Sequence, residues 1–265
     1  MLLPQPQKRR LQRVTLQPHQ VSSNLQINSQ ISLTSEQRHY LSNVLRLEVN
    51  AEFIALDRLG GWWLAQLGKD FNKADIIAKL ENNSESAIPI SLGVAMPKGS
   101  NLESIIRQTT ELGVQQISPL FSDRTIIKSG TEIGNQKRDR WQRIAEEAAE
   151  LSLRSHIPEI KPPLAFLAWL EYCTTLPPTH GKYICVTTPN VPHLLTSLQN
   201  TNSIDEQVIV ATGCEGGWTT REEEMAIAAG FNPVSLGDRV LSAITAPVVA
   251  LSIVGAFFDT QTHHR

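Results

Sequence analysis

Between residues 88 and 236 short apolar runs alternate with amphipathic stretches, and this alternation limits the possible folds more than any other feature of the chain. Residues 88–96 form the first run. Ser100-x-x-Glu103 then has the form of a capping box, opening a helix whose Leu102, Ile105, Ile106 and Leu112 share a face and whose stop is Gly113. A strand is expected over 117–120, and a helix over 140–151 that buries Trp141, Ile144, Ala148 and Leu151. The pattern continues with strands over 182–187, 208–211 and 233–236 and helices over 191–198 and 219–229. Strands alternating with helices imply an α/β class with a parallel sheet covered on both faces. The uncharged segment 241–258 is diluted by Ser242, Thr245, Pro247, Ser252 and Gly255, whereas a membrane span needs about 20 strongly apolar residues. It reads as a helix buried on all sides.

Upstream the period differs. Alternating segments at 25–27 and 53–56 lead through Gly60-Gly61 to 62–67, a hairpin signature, with one helix over 35–45. The polar run 81–86 has linker composition, so the chain divides into a small β-rich domain, residues 1–81, and an α/β domain, residues 87–265. A net charge of −2 gives no global preference for nucleic acid, yet residues 1–35 hold no acid while Lys8, Arg9, Arg10 and Arg13 cluster there. That composition fits an organellar transit peptide or a basic edge that meets phosphates; Leu11, Val14 and Leu16 read as strand and favour the edge. No apolar signal-peptide core precedes Arg13. Cys173, Cys185 and Cys214 are odd in number and widely spaced, which suggests neither a disulfide framework nor a zinc site and fits a reducing cytoplasm. With no clustered ligand set, a metal-free site is expected.

In parallel sheets ligands gather at the carboxyl ends of strands. Two glycine-marked turns lie there, 212–217 and 236–239. Neither G-x-x-x-x-G-K-[ST] nor G-x-G-x-x-G is present, which removes the best support for nucleotide readings. Glu215, inside the first turn, would repel a phosphate. Both turns also fit ordinary strand-to-helix connections, the first with Thr219 and Glu222 as a capping box.

Seven motifs in order are specific enough to carry a resemblance. They are Leu45-Arg46-Leu47 after His39-Tyr40-Leu41, Pro97-Lys98-Gly99, and Thr110-Glu111-Leu112-Gly113-Val114. Pro119-Leu120-x-Ser122-Asp123-Arg124 and the segment from Arg140-Trp141 to Glu147-Ala148-Ala149-Glu150 follow. Gly213-Cys214-Glu215-Gly216-Gly217 and Leu236-Gly237-x-Arg239-Val240-Leu241 complete the set. Nearly end to end, the chain resembles the RsmE family of small-subunit ribosomal RNA uridine-N3 methyltransferases, of the SPOUT class. The resemblance implies a PUA-like β-barrel that grips RNA and a C-terminal α/β domain threaded as a trefoil knot, which no periodicity reveals and topological base rates disfavour. It implies that Gly213, Glu215, Gly216 and Gly217, with Leu236, Gly237, Val240, Leu241 and Ser242, hold S-adenosyl-L-methionine. Thr187 and Thr188 would form a third wall. Glu215 would either meet the cationic donor or brace its loop through backbone N–H groups.

The same resemblance implies methyl transfer to N3 of a uridine of 16S ribosomal RNA in the small ribosomal subunit. Arg239 is the expected catalytic residue, stabilising the uridine anion, with Arg124 and Lys98 as second choices. Arg10, Arg13, Tyr40, Arg46, Lys98 and Arg124 are the expected RNA contacts. A cytoplasmic homodimer is implied, with the 241–258 helix partly at its interface. The chain departs from the family pattern at Cys214, where proline is usual, and at Ser242 and Ile244, where arginine and glutamate are usual. Leu151 stands for a glutamine and Tyr40 for a histidine. A catalytically weakened ribosome-binding protein, or a SPOUT enzyme acting on another RNA, are the alternatives these departures keep open.

Overall fold

The computed structural model describes residues 11–21, 25–57, 61–80, 85–126, 131–177, 180–200 and 206–262. The chain forms two compact units: Met1–Ser84 with Leu153–His156, and Glu85–Ser152 with Ile157–Arg265.

The smaller unit is a five-stranded sheet. Its strands are β1 (Arg13–Thr15), β2 (Gln30–Ser32), β3 (Glu52–Leu56), β4 (Trp62–Leu67) and β5 (Lys73–Leu80), in the order β1-β3-β4-β5-β2. β1 runs parallel to β3 and the other pairs are antiparallel. Alternation along β3 and β4 buries Phe53, Ala55, Trp63, Ala65 and Leu67 beside Val14, Leu16, Ile31 and Leu41. The expected segment 25–27 is not a strand: the edge strand is β2, entered through Asn28 at φ 71°. Helix α1 (Ser35–His39) is capped by Thr34, whose side chain accepts from the Gln37 N–H. The single helix expected over 35–45 breaks there. Tyr40–Val44 is one π turn, and Arg46 takes a left-handed φ of 53°. A second small core joins Ile54, Leu56 and Trp62 to Leu11, Leu80 and Leu153.

The larger unit is α/β, as its sequence pattern requires. Strands β6 (Ile90–Ala95), β7 (Gln116–Phe121), β8 (Glu159–Ile160), β9 (Leu164–Ala165), β10 (His180–Cys185), β11 (Gln207–Thr212) and β12 (Asn232–Val234) form one sheet. Its order is β12-β10-β11-β6-β7-β8, with β9 also on β7, and every pair is parallel. Helices α2 (Asn101–Glu111), α3 (Thr131–Leu151), α5 (Leu194–Gln199) and α7 (Thr245–Thr262) cover one face. Ile90, Leu92, Val94, Val208 and Val210 point into it. On the other face α4 (Phe166–Thr174) and α6 (Thr220–Ala228) pack on Ile184, Ile209 and Ala211. Gly93 lies under Trp169 of α4: a Cβ there would sit 2.4 Å from the indole, so only glycine fits.

In this unit three expectations are overturned. Ser100 precedes α2 at φ −97°, ψ 10° and makes no side-chain cap, because it is not extended; Glu103 instead meets Arg140 at 2.8 Å. Leu151 is 77% exposed. Helix α7 is not buried all round: Ala250, Leu251, Val254 and Phe258 form one buried stripe, while Ser252 and Ala256 on the far side are exposed.

Candidate functional site

At the carboxyl edge of the larger sheet, the loops leaving β10 and β12 enclose a cavity of about 330 Å³. Backbone bonds stitch its walls together. The Val186 N–H donates to the Val234 carbonyl, the Leu194 N–H to that of Ser235 and the Ser235 N–H to that of Pro192, each at 2.9 Å. In the second loop the Gly237 N–H donates to Ser235 Oγ at 3.0 Å, and Gly237 holds a φ of 114° that favours glycine.

Of the residues expected to hold the donor, Thr187, Thr188, Leu236, Gly237, Val240 and Leu241 line this cavity, and so does Arg239. Thr188 Oγ1 donates to Glu223 Oε2 at 2.7 Å, tying the first loop to α6. Asn190 and Asp238 also line the cavity and were not anticipated: Asp238 occupies the variable position of its motif, and Asn190, at φ 63°, turns the first loop. Cys185 is a further lining residue, and burial pushes its thiol up to about 12.

Gly213, Glu215, Gly216, Gly217 and Ser242 do not line the cavity. Ser242 Oγ accepts from the Thr245 N–H at 3.1 Å and so caps α7, while Ile244 packs on the core. The 213–217 turn leaves β11, the strand next to β10. It closes by a hydrogen bond from the Gly217 N–H to the Cys214 carbonyl at 2.9 Å, with Gly217 at φ 67°. The Glu215 carboxylate faces the start of α2, where it accepts from the Lys98 N–H at 3.1 and 3.3 Å and from Asn101 Nδ2 at 3.4 Å. Of the two expected roles, bracing through a backbone N–H is the one these bonds display. Beyond the turn Trp218 Nε1 donates to the Cys185 carbonyl at 3.2 Å, and Thr219 with Glu222 forms the expected capping box of α6. Glu222, 3% exposed, also accepts from the Asp123 N–H at 2.8 Å.

The expected RNA contacts are placed individually. Arg124 Nη1 donates to the Gly216 carbonyl at 2.5 Å, so this guanidinium is engaged by the turn. Lys98 and Arg46 are exposed, and Tyr40 is 39% exposed at the start of the π turn. The Arg13 guanidinium lies 5.1 Å from the Trp62 ring centroid. Arg10 lies outside the described residues. No helix among the described residues is long and apolar enough to cross a membrane.

The family models that match the two parts of the chain make it an RNA methyltransferase. Residues 84–255 match a family model described as an RNA methyltransferase domain, and residues 33–81 match an RNA methyltransferase PUA domain. A ribosomal RNA small subunit methyltransferase E from a Synechocystis strain is 41% identical over 249 residues, 94% of this chain and 78% of that protein. Its counterpart in Bacillus subtilis is 28% identical over 226 residues, 84% of this chain and 88% of that protein. The crystal structure of the Neisseria gonorrhoeae enzyme, bound to S-adenosyl methionine, superposes with a TM-score of 0.79 at 27% identity, covering 94% of this chain and 98% of the other. The chain belongs to the ribosomal RNA small subunit methyltransferase E family.

Proposed function

We propose that the chain transfers a methyl group from S-adenosyl-L-methionine to N3 of a uridine in 16S ribosomal RNA, as a cytoplasmic homodimer. The observation that carries this is the cavity at the sheet edge, in a chain whose solved relative binds S-adenosyl methionine. Its volume, about 330 Å³, lies in the range of small-molecule sites. Its lining mixes apolar Val186, Val191, Leu236 and Leu241 with polar Thr187, Thr188 and Asn190, one acid, Asp238, and one base, Arg239, a set that suits a ligand with an apolar body and charged groups of both signs. These residues would hold the donor, which supplies an electrophilic methyl when bound.

The chain's own contribution is placement and charge. Holding the acceptor nitrogen in line with the methyl supplies much of the acceleration. Uridine N3 bears a proton on its Watson–Crick edge, so the base must be unpaired and deprotonated before attack. Arg239, exposed on the cavity wall, would stabilise that anion at its carbonyl oxygens. The small β unit, residues 1–81 by sequence, would bind RNA through Arg10, Arg13, Tyr40 and Arg46, and Lys98 of the larger unit would add a further contact. The C-terminal third would be threaded as a trefoil knot, and the exposed face of α7, with Ser252 and Ala256, would contribute to a dimer interface. Mass spectrometry of ribosomal RNA from a deletion strain tests the reading. A methyluridine that disappears on deletion and returns with this chain is expected; an unchanged nucleoside pattern would overturn it.

A further inference from the structure

The cavity is lined by the loops after β10 and β12, and the 213–217 turn stands beside them at the end of β11, the strand next to β10. That turn is tied to two neighbouring loops by side chains of opposite charge, one reaching in and one reaching out. From the loop after β7, Arg124 crosses over Gly216: a Cβ on Gly216 would lie 3.1 Å from both Cβ and Cδ of Arg124, so glycine there makes room for the arginine stem. Its guanidinium then fixes the Gly216 carbonyl, and with it the peptide plane entering Gly217. From the turn itself, Glu215 reaches to the loop after β6 and takes the Lys98 N–H. The turn is connected in its turn to the cavity. Trp218 immediately follows it and bonds the carbonyl of Cys185, a lining residue. Stacking against Phe166, with centroids 4.6 Å apart, holds that indole in place.

We propose that Arg124 and Glu215 are positioning residues that hold the 213–217 turn, and through Trp218 the wall of the donor cavity, in its binding conformation. Arg124 is then not an RNA contact. The inference rests on the reading that the cavity takes S-adenosylmethionine. Both side chains bond main-chain groups, so what matters is a donor or acceptor at the right place rather than net charge. A neutral glutamine at 215 keeps an acceptor for the Lys98 N–H, and a lysine at 124 keeps a single donor for the Gly216 carbonyl.

The test is calorimetry of the full-length chain with S-adenosylmethionine alone, paired with binding of a 16S ribosomal RNA fragment over a salt series. Arg124→Ala and Glu215→Ala should each weaken donor binding about tenfold, the scale of losing a hydrogen bond to a charged group. Arg124→Lys and Glu215→Gln should stay within about threefold of wild type. RNA affinity and its salt dependence should be the same for Arg124→Ala as for wild type. Unchanged donor affinity in Arg124→Ala, or a log–log salt slope reduced by about 0.7 to 0.9, the mark of a lost phosphate contact, would overturn the assignment of Arg124. Glu215→Gln as weak as Glu215→Ala would overturn bracing by Glu215 and point to a charge contact with the donor. A wild-type chain that fails to bind the donor would overturn this inference together with the donor reading, whereas donor binding by wild type and both alanine variants alike would overturn this inference alone.

Discussion

Arg239 sits on the cavity wall with its side chain exposed, beside Gly237, whose φ of 114° shapes the loop that presents it. A cation acting on charge that develops during reaction contributes mainly to the transition state. Arg239→Ala should therefore leave donor and RNA affinities within about twofold and slow single-turnover methylation about 100-fold. A wild-type rate would remove Arg239 from catalysis. Cys173, 1% exposed, makes a prediction about pH instead. Burial pushes its thiol up to about 12, against the opposing pull of the Lys182 ammonium, whereas an unperturbed thiol titrates near 9.0. Above that value the unfolded chain has lost a proton that the folded chain keeps, so this contribution is whole below about pH 9 and falls as pH rises towards 12. Thermal melts should show wild type losing more stability than Cys173→Ala between about pH 8 and about pH 10. At this scale the sequence displays candidates without their partners. Glu215 stands out because an acid in a glycine turn is unusual, but the Lys98 N–H that explains it lies 117 residues away in the chain.

Two capping boxes with the same spelling behave differently, and the difference is conformational. Thr219 is extended, at φ −81°, ψ 157°, and exchanges bonds with Glu222, whereas Ser100 has ψ 10° and its Glu103 has gone to Arg140. Thr219→Ala should cost about 1 kcal/mol in urea unfolding, and Ser100→Ala less than about 0.5 kcal/mol. Equal losses would show that the two boxes do not differ in solution. Elements were legible where length and period agreed, as in β6, β7, β10, β11, α2 and α6. β8 and β9 have two residues each, too few for a pattern. In β5 the alternation of Ala74 and Ile76 is blurred by the Ile76-Ile77 pair. α4 follows two prolines and is apolar on most sides, so it lacks the polar face that marks a surface helix. Of the two glycine-marked turns only the one at 236–239 lines the cavity; the loop after β10 was expected through the family resemblance alone, since Thr187 and Thr188 form no motif of their own.

For the whole molecule, the proposed division of labour between the units predicts that binding of donor and of RNA is separable. Arg46 is exposed in the small unit, at a φ of 53° that is uncommon for a residue with a side chain. Arg46→Ala should weaken RNA binding and reduce its log–log salt slope by about 0.7 to 0.9, with donor affinity unchanged; an unaltered slope would dismiss Arg46 as a phosphate contact. The units are nonetheless not consecutive in the chain. Leu153–His156 belongs to the small unit, where Leu153 packs with Ile54, Leu56 and Trp62 and where Arg154 and Ser155 are each 3% exposed. During synthesis the first 84 residues therefore emerge without all of their own interior. The ribosome must make β6, α2, β7 and α3 before the small unit receives its last packing residues, so its maturation waits on more than a third of its neighbour. A single cut after residue 84 would thus yield an incomplete body rather than a free-standing RNA-binding module.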